Sequence, residues 1–131
     1  MLGKLQKFPQ HNCLIMPQDT SQSLTLKAYD LLKKSIPTLN NLPKSQRFLL
    51  SDRILNLLSD LLETIIEAYY APQHEKRPLL NRVNLILEKL RYFYRLCYDL
   101  GYFNSKQYQE FAAHLDEIGR MTGGWLKSLK G

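Results

Sequence analysis

Seven residues, Leu79, Val83, Ile86, Leu90, Phe93, Cys97 and Leu100, recur at alternating spacings of four and three. That rhythm lays one apolar seam along an α-helix, the narrow stripe of helices packed near 20°. Three further segments repeat the period. Leu24, Ala28, Leu31, Leu32, Ser35 and Leu39 form the first. Leu50, Ile54, Leu57, Leu58, Leu61, Leu62, Ile65 and Tyr69 form the second. Tyr108, Phe111, Ala112, Leu115, Ile118, Gly119 and Trp125 form the last. No useful strand-like alternation accompanies them. With short connections, sequential helices run antiparallel, so the expected fold is all-α: an up-and-down antiparallel four-helix bundle.

The punctuation sets the boundaries. Thr20 and Ser21 are good N-cap types for the first helix, and Pro37 is expected to distort its last turn. Asn40 to Pro43 read as a short connection, and the second helix is expected from Lys44, with Pro43 tolerated in its first turn. Pro72 ends that helix, Pro72 to Pro78 read as a polar turn, and the third helix is expected over 77–100. Gly101 suits a left-handed C′ position. Asn104 or Ser105 opens the fourth helix, which runs to about Leu126. Gly119 inside its stripe is expected to let a neighbouring helix approach closely. The chain therefore divides into an N-terminal arm over 1–20, extended or disordered when the protein is alone, and a bundle over 21–131. Leu14, Ile15 and Met16 are the arm's candidates for docking on a partner or a neighbouring subunit.

Chemistry-bearing patterns are scarce. His11, His74 and His114 fall in the arm, in a turn and on the outer face of the fourth helix, and none stands in the Glu-x-x-His form of di-iron bundles. His11 and Cys13 lack a second ligand pair, so no zinc site is expected. Gly-rich phosphate loops and a nucleophile elbow are absent. Glu63, Glu67, Glu88 and Asp99 all project outward, which leaves no buried acid pair for proton transfer. The reading is of a non-enzyme that needs no cofactor. Cys13 and Cys97 form no CxxC pair, and Cys97 on an apolar face reads as a buried structural thiol. No apolar run is long enough for a membrane span, and the N-terminus has no apolar core of a secretory signal. The expected location is the cytoplasm, without a membrane partner.

What remains is charge. Lys and Arg number 18 against 12 Asp and Glu, a net charge of +6. An excess of that size favours anionic partners. Lys44, Arg47 and Arg53 begin the second helix, at the end of a bundle where the third finishes, and are expected to approach Arg91 and Arg95. Such a patch suits phosphate backbones rather than base sequence. Intrahelical pairing of Glu88 with Arg91 and Asp116 with Arg120 would instead solvate the charge. Helical phase puts Arg47 on the inward side with Ser51 one turn on, where its guanidinium would cap carbonyls of an adjacent helix or meet a partner. Arg82 and Lys89 flank the third helix's seam, and Leu85, Tyr92 and Leu96 form a second apolar strip on that flank. Two strips on one helix call for two packing partners: a second copy of the chain, or its own arm.

Three segments carry a family resemblance. Leu42 to Phe48, "LPKSQRF", is followed by Asp52-Arg53-Ile54. Asn84 to Arg95, "NLILEKLRYFYR", is followed by "LCYDLGYFNSKQY". Leu115 to Ser128 reads "LDEIGRMTGGWLKS". Together, in this order and spacing, they resemble the accessory variability determinant proteins of diversity-generating retroelements. A broader relative, and the alternative reading, is the four-helix-bundle family encoded in ribosomal-RNA intervening sequences, of unknown or ribosome-linked role. The resemblance covers residues 24–128. It implies a barrel-like homopentamer with a basic surface and pore. It also implies binding to a reverse transcriptase and to nucleic acid, in support of mutagenic copying of a template-repeat RNA into cDNA (mutagenic retrohoming). Lys44, Arg47, Arg53, Arg82, Lys89, Arg91, Arg95 and Arg120 fall on basic family positions, and some of them are expected to contact RNA, DNA or the polymerase.

Overall fold

Four helices account for nearly all of residues 20–129, which the computed structural model describes with side chains from Ser23 onward: α1 (Thr20–Asn40), α2 (Asp52–Tyr70), α3 (Gln73–Asp99) and α4 (Ser105–Ser128). The arm's residues up to 19, with His11, Cys13 and Leu14 to Met16, lie outside the described residues. No strand occurs among the described residues. Each helix packs on its sequence neighbours, and α1 packs on α4 to close the bundle. None of these helices is long and apolar enough to cross a membrane.

The apolar stripes become the core. Leu24, Ala28, Leu31 and Leu39 of α1 are fully enclosed, as are Ile54, Leu58, Leu61 and Ile65 of α2. On α3 the seam is rotated from the expected one. Leu80, Leu87 and Tyr94 join Val83, Leu90 and Cys97 inside, while Leu79 and Phe93 are half-buried and Leu100 is 52% exposed. Both sets share Val83, Ile86, Leu90 and Cys97, so helical spacing alone could not separate them. Large side chains opposite decide it: the Tyr94 ring lies 5.0 Å from Phe111 and 5.6 Å from Phe103, an aromatic cluster at the α3–α4 end. The Tyr94 hydroxyl is hydrogen-bonded to Ser35 of α1. Burial pushes its ionisation well above the usual tyrosine range, a rise that the Ser35 bond only partly offsets. Burial also pushes the Cys97 thiol up to about 11, so it is neutral at ordinary pH and acts as a small apolar side chain.

Two helix starts depart from the sequence reading. The segment after Pro43 does not enter α2 directly. A 3₁₀ turn (Lys44–Gln46) and a π-turn (Arg47–Ser51) come first, the π-turn closed by the Asp52 N–H donating to the Arg47 carbonyl. One extra residue in that turn shifts the helical phase. Arg47 is therefore exposed rather than inward, and the role expected of it passes to Ser51. Its buried hydroxyl donates to the Leu39 carbonyl (2.8 Å), capping the end of α1. The second departure is at Pro72. This residue caps α3 in extended geometry, and the helix runs from Gln73 straight through Pro78. The supposed polar turn is thus the first turns of α3. Lys76 reaches back from it to the carbonyls of Ala68 (2.8 Å) and Tyr69 (3.0 Å), closing the C-terminus of α2, with its ammonium 5.9 Å from the Trp125 ring centre. Pro37 also lies within a helix, on the exposed face of the last turns of α1, which continues to Asn40.

The α3–α4 connection follows its signals. Gly101 has φ +83°. Its N–H donates to the Tyr98 carbonyl (3.0 Å), and the Tyr102 N–H donates to that of Cys97 (2.8 Å), the paired bonds of a Schellman ending. Asn104 then caps α4 through a capping box with Gln107, with bonds of 2.8 and 2.9 Å. Gly101→Ala places a Cβ in the left-handed region and is expected to lower stability by about 1–2 kcal/mol. Urea denaturation should show a lower midpoint at unchanged slope. An unchanged midpoint would contradict the account.

Candidate functional site

Helical rotation separates the basic candidates into two groups. On α3, Arg82, Lys89 and Phe93 turn toward α2, as the Arg53 guanidinium 5.8 Å from the Phe93 ring centre shows. Arg91, Arg95 and Tyr98 turn the other way, toward α4. Arg91 lies 3.4 Å from Glu88 on its own helix and 3.6 Å from Asp116 of α4. The Tyr98 ring stacks on Tyr108, with centroids 4.7 Å apart and planes 10° from parallel. Arg53 therefore does not converge with Arg91 and Arg95. They lie on opposite flanks of α3, because residues two apart on a helix point in nearly opposite directions.

Ion pairing differs between the flanks too. Arg91 is held by two carboxylates, and the Arg95 Nε donates to Asp99 (3.0 Å). The Asp99 hydrogen bond raises the Arg95 pKa above its ordinary value. The Glu88–Arg91 pair was legible at i,i+3, but Asp116 pairs with Arg91 across the seam rather than with Arg120, which is exposed. Gly119 admits that arginine rather than a neighbouring backbone: a Cβ there would sit 3.0 Å from the Arg91 Nη2. By contrast Lys44, Arg47, Arg53, Arg82 and Lys89 are exposed and carry no ion pair among the described residues.

The flank of unpaired cations is also apolar. Leu85 is 56% exposed, Tyr92 71% and Leu96 40%. Phe48 and Leu49, presented by the π-turn, reach 82% and 69%. Sequence periodicity missed this pair, because a regular α-helix gives no reason for adjacent apolar residues to point outward. A second exposed apolar surface lies between α1 and α2. Lys27 pairs with Glu117 (3.1 Å) and Lys34 lies 3.5 Å from His114, so that side of α1 faces α4. The opposite side, with the exposed Tyr29 and Ile36, turns toward α2 and its exposed Ile66. His114 is accordingly half-buried against α1 rather than on the outer face. Burial, followed by the nearby Lys34 charge, lowers its pKa.

Among the described residues no group of three His, Cys, Asp or Glu is placed to hold a metal ion. Among the described residues, α3 carries paired charge on one flank, and cations without ion pairs beside exposed apolar side chains on the other. A family model described as bAvd-like matches residues 22–129. The chain belongs to the bAvd-like family. Its members are accessory variability determinants, an accessory, non-catalytic type of protein. The match spans all four helices, the Schellman turn, the capping box and the π-turn before α2. No curated protein matches the chain.

Proposed function

We propose that the chain is a non-catalytic accessory subunit of a diversity-generating retroelement. In this reading it assembles into a homo-oligomeric ring that holds template RNA or cDNA against a reverse transcriptase during mutagenic copying, in the cytoplasm. The observation that carries the reading is the α2–α3 flank, where an exposed apolar strip is bordered by Arg53, Arg82 and Lys89, which carry no ion pair among the described residues. A solvated surface has no use for four large exposed apolar side chains (Leu85, Tyr92, Leu96 and Leu100) along one helix. Unpaired Lys and Arg beside them are free to replace the counterions of a phosphate backbone. Bundle packing supports a ring. The α1–α2 and α2–α3 faces of a square bundle stand roughly at right angles. Head-to-tail contact of one with the other closes after about four or five copies. The family's homopentamer, implied by the resemblance, falls in that range.

Light scattering at high salt is expected to give the mass of about five chains, and a monomer would overturn the ring. Fluorescence anisotropy with single-stranded RNA is expected to show binding that weakens steeply with salt. Arg53→Gln and Lys89→Gln should each reduce the log–log salt slope by about 0.7. Absence of binding to RNA, DNA and the retroelement's polymerase at low salt would defeat the reading.

A further inference from the structure

The α3–α4 seam opens into a groove of about 250 Å³ lined by Arg91, Tyr94, Tyr108, Ala112, Leu115 and Asp116. It lies on the flank of α3 opposite the apolar strip, so ring contacts through the α1–α2 and α2–α3 faces leave it open. Its chemistry is that of a pocket for a flat heterocycle. Tyr108 provides an aromatic wall, already in parallel stack with Tyr98 and thereby held in orientation. Leu115 and Ala112 make an apolar floor, and the small Ala112 side chain keeps it low. Arg91 and Asp116 face each other across the mouth, 3.6 Å apart, offering N–H donors and carboxylate acceptors side by side. The Arg91 guanidinium does not swing freely: Glu88 holds it from one side, and the missing side chain of Gly119 gives it a seat. Arg95, one turn along α3, is largely exposed at the same seam.

The charge balance indicates what fits. Arg91 and Arg95 are offset by Glu88, Asp99 and Asp116. The groove is therefore a poor trap for phosphate alone and a good one for a neutral ring with donors and acceptors on its edge. We infer that this seam takes an unstacked nucleobase of a single-stranded nucleic acid, the ring against Tyr108 and its polar edge against Arg91 and Asp116. The inference rests on the nucleic-acid reading above and adds base contact to it. Stacking of this kind accepts every base, because each has a π-face.

The test is anisotropy of the full chain with a short single-stranded RNA of mixed sequence and with an abasic oligomer of the same length. The base-bearing strand is expected to bind about tenfold more tightly, the worth of one stacked base. Tyr108→Leu should erase that margin without changing abasic binding, and Tyr108→Phe, which keeps the ring, should retain it. Circular dichroism of both variants is the check that they fold. Equal binding of the two strands by the wild-type chain overturns the base pocket but leaves the phosphate reading standing. So does a Tyr108→Leu loss that falls equally on both strands. Binding of neither strand overturns both.

Discussion

Truncating Tyr94 to alanine is expected to remove about 3–5 kcal/mol of stability, as for other fully enclosed aromatics. The same change at its neighbour Phe93 is expected to remove about 1–2 kcal/mol. The two residues differ in what surrounds them. Tyr94 is fully buried, packed on Phe103 and Phe111, and tied through its hydroxyl to Ser35 of α1. Its removal opens a cavity where α1, α3 and α4 meet and strands a buried serine hydroxyl. Phe93 is half-buried, with Arg53 over one part of its ring. Against a typical domain stability of about 5–15 kcal/mol, the Tyr94 variant sits near the unfolding threshold at moderate temperature and the Phe93 variant does not. Chemical denaturation of the pair measures the rotation of α3 directly. Equal losses would return Phe93 to the seam and contradict the packing described.

The second large effect concerns assembly. Combining Tyr92→Glu with Leu96→Glu is expected to reduce the oligomer to single chains while leaving the bundle intact. Both side chains are exposed in the isolated bundle, so the fold is expected to change by about 0.5 kcal/mol or less at each position. In an interface, however, the two carboxylates would be buried without partners. At about 2 kcal/mol or more each, they weaken a contact by a factor on the order of a thousand. Light scattering should show the mass of one chain, with an unchanged melting curve. A persistent oligomer would take the strip out of the interface and assign it to another occupant, the polymerase or the chain's own arm.

Sequence patterning was sufficient for much of this molecule because its signals are local. Four stripes of helical period, Gly101 at a position that needs positive φ, and Asn104 as an N-cap type each specify structure within a few residues. The four helices, the left-handed C′ position at Gly101 and the start of α4 at Asn104 followed from such signals. The buried Cys97, the outward acidic residues and the exposed strip of Leu85, Tyr92 and Leu96 were legible for the same reason: each depends only on helical phase. The resemblance carried by three short segments anticipated the family that the match over residues 22–129 shows.

Tertiary structure decided what depends on distance between helices. Periodicity allowed two overlapping seams on α3, and only Phe103, Phe111 and Ser35 selected the one containing Tyr94. Local chemistry offered Asp116 a partner at Arg120, but antiparallel packing brought Arg91 within 3.6 Å. The π-turn mattered most for the surface. A single extra residue before α2 moved Arg47 out, turned Ser51 onto the Leu39 carbonyl and exposed Phe48 and Leu49. Of the eight candidate cations, Arg91 gains its second carboxylate, Asp116, only because α4 stands beside that flank of α3. Side-chain period is set by neighbours a turn away along the chain. Charge pairing and groove shape are set by neighbours brought together from distant segments, and no one-dimensional pattern encodes those distances.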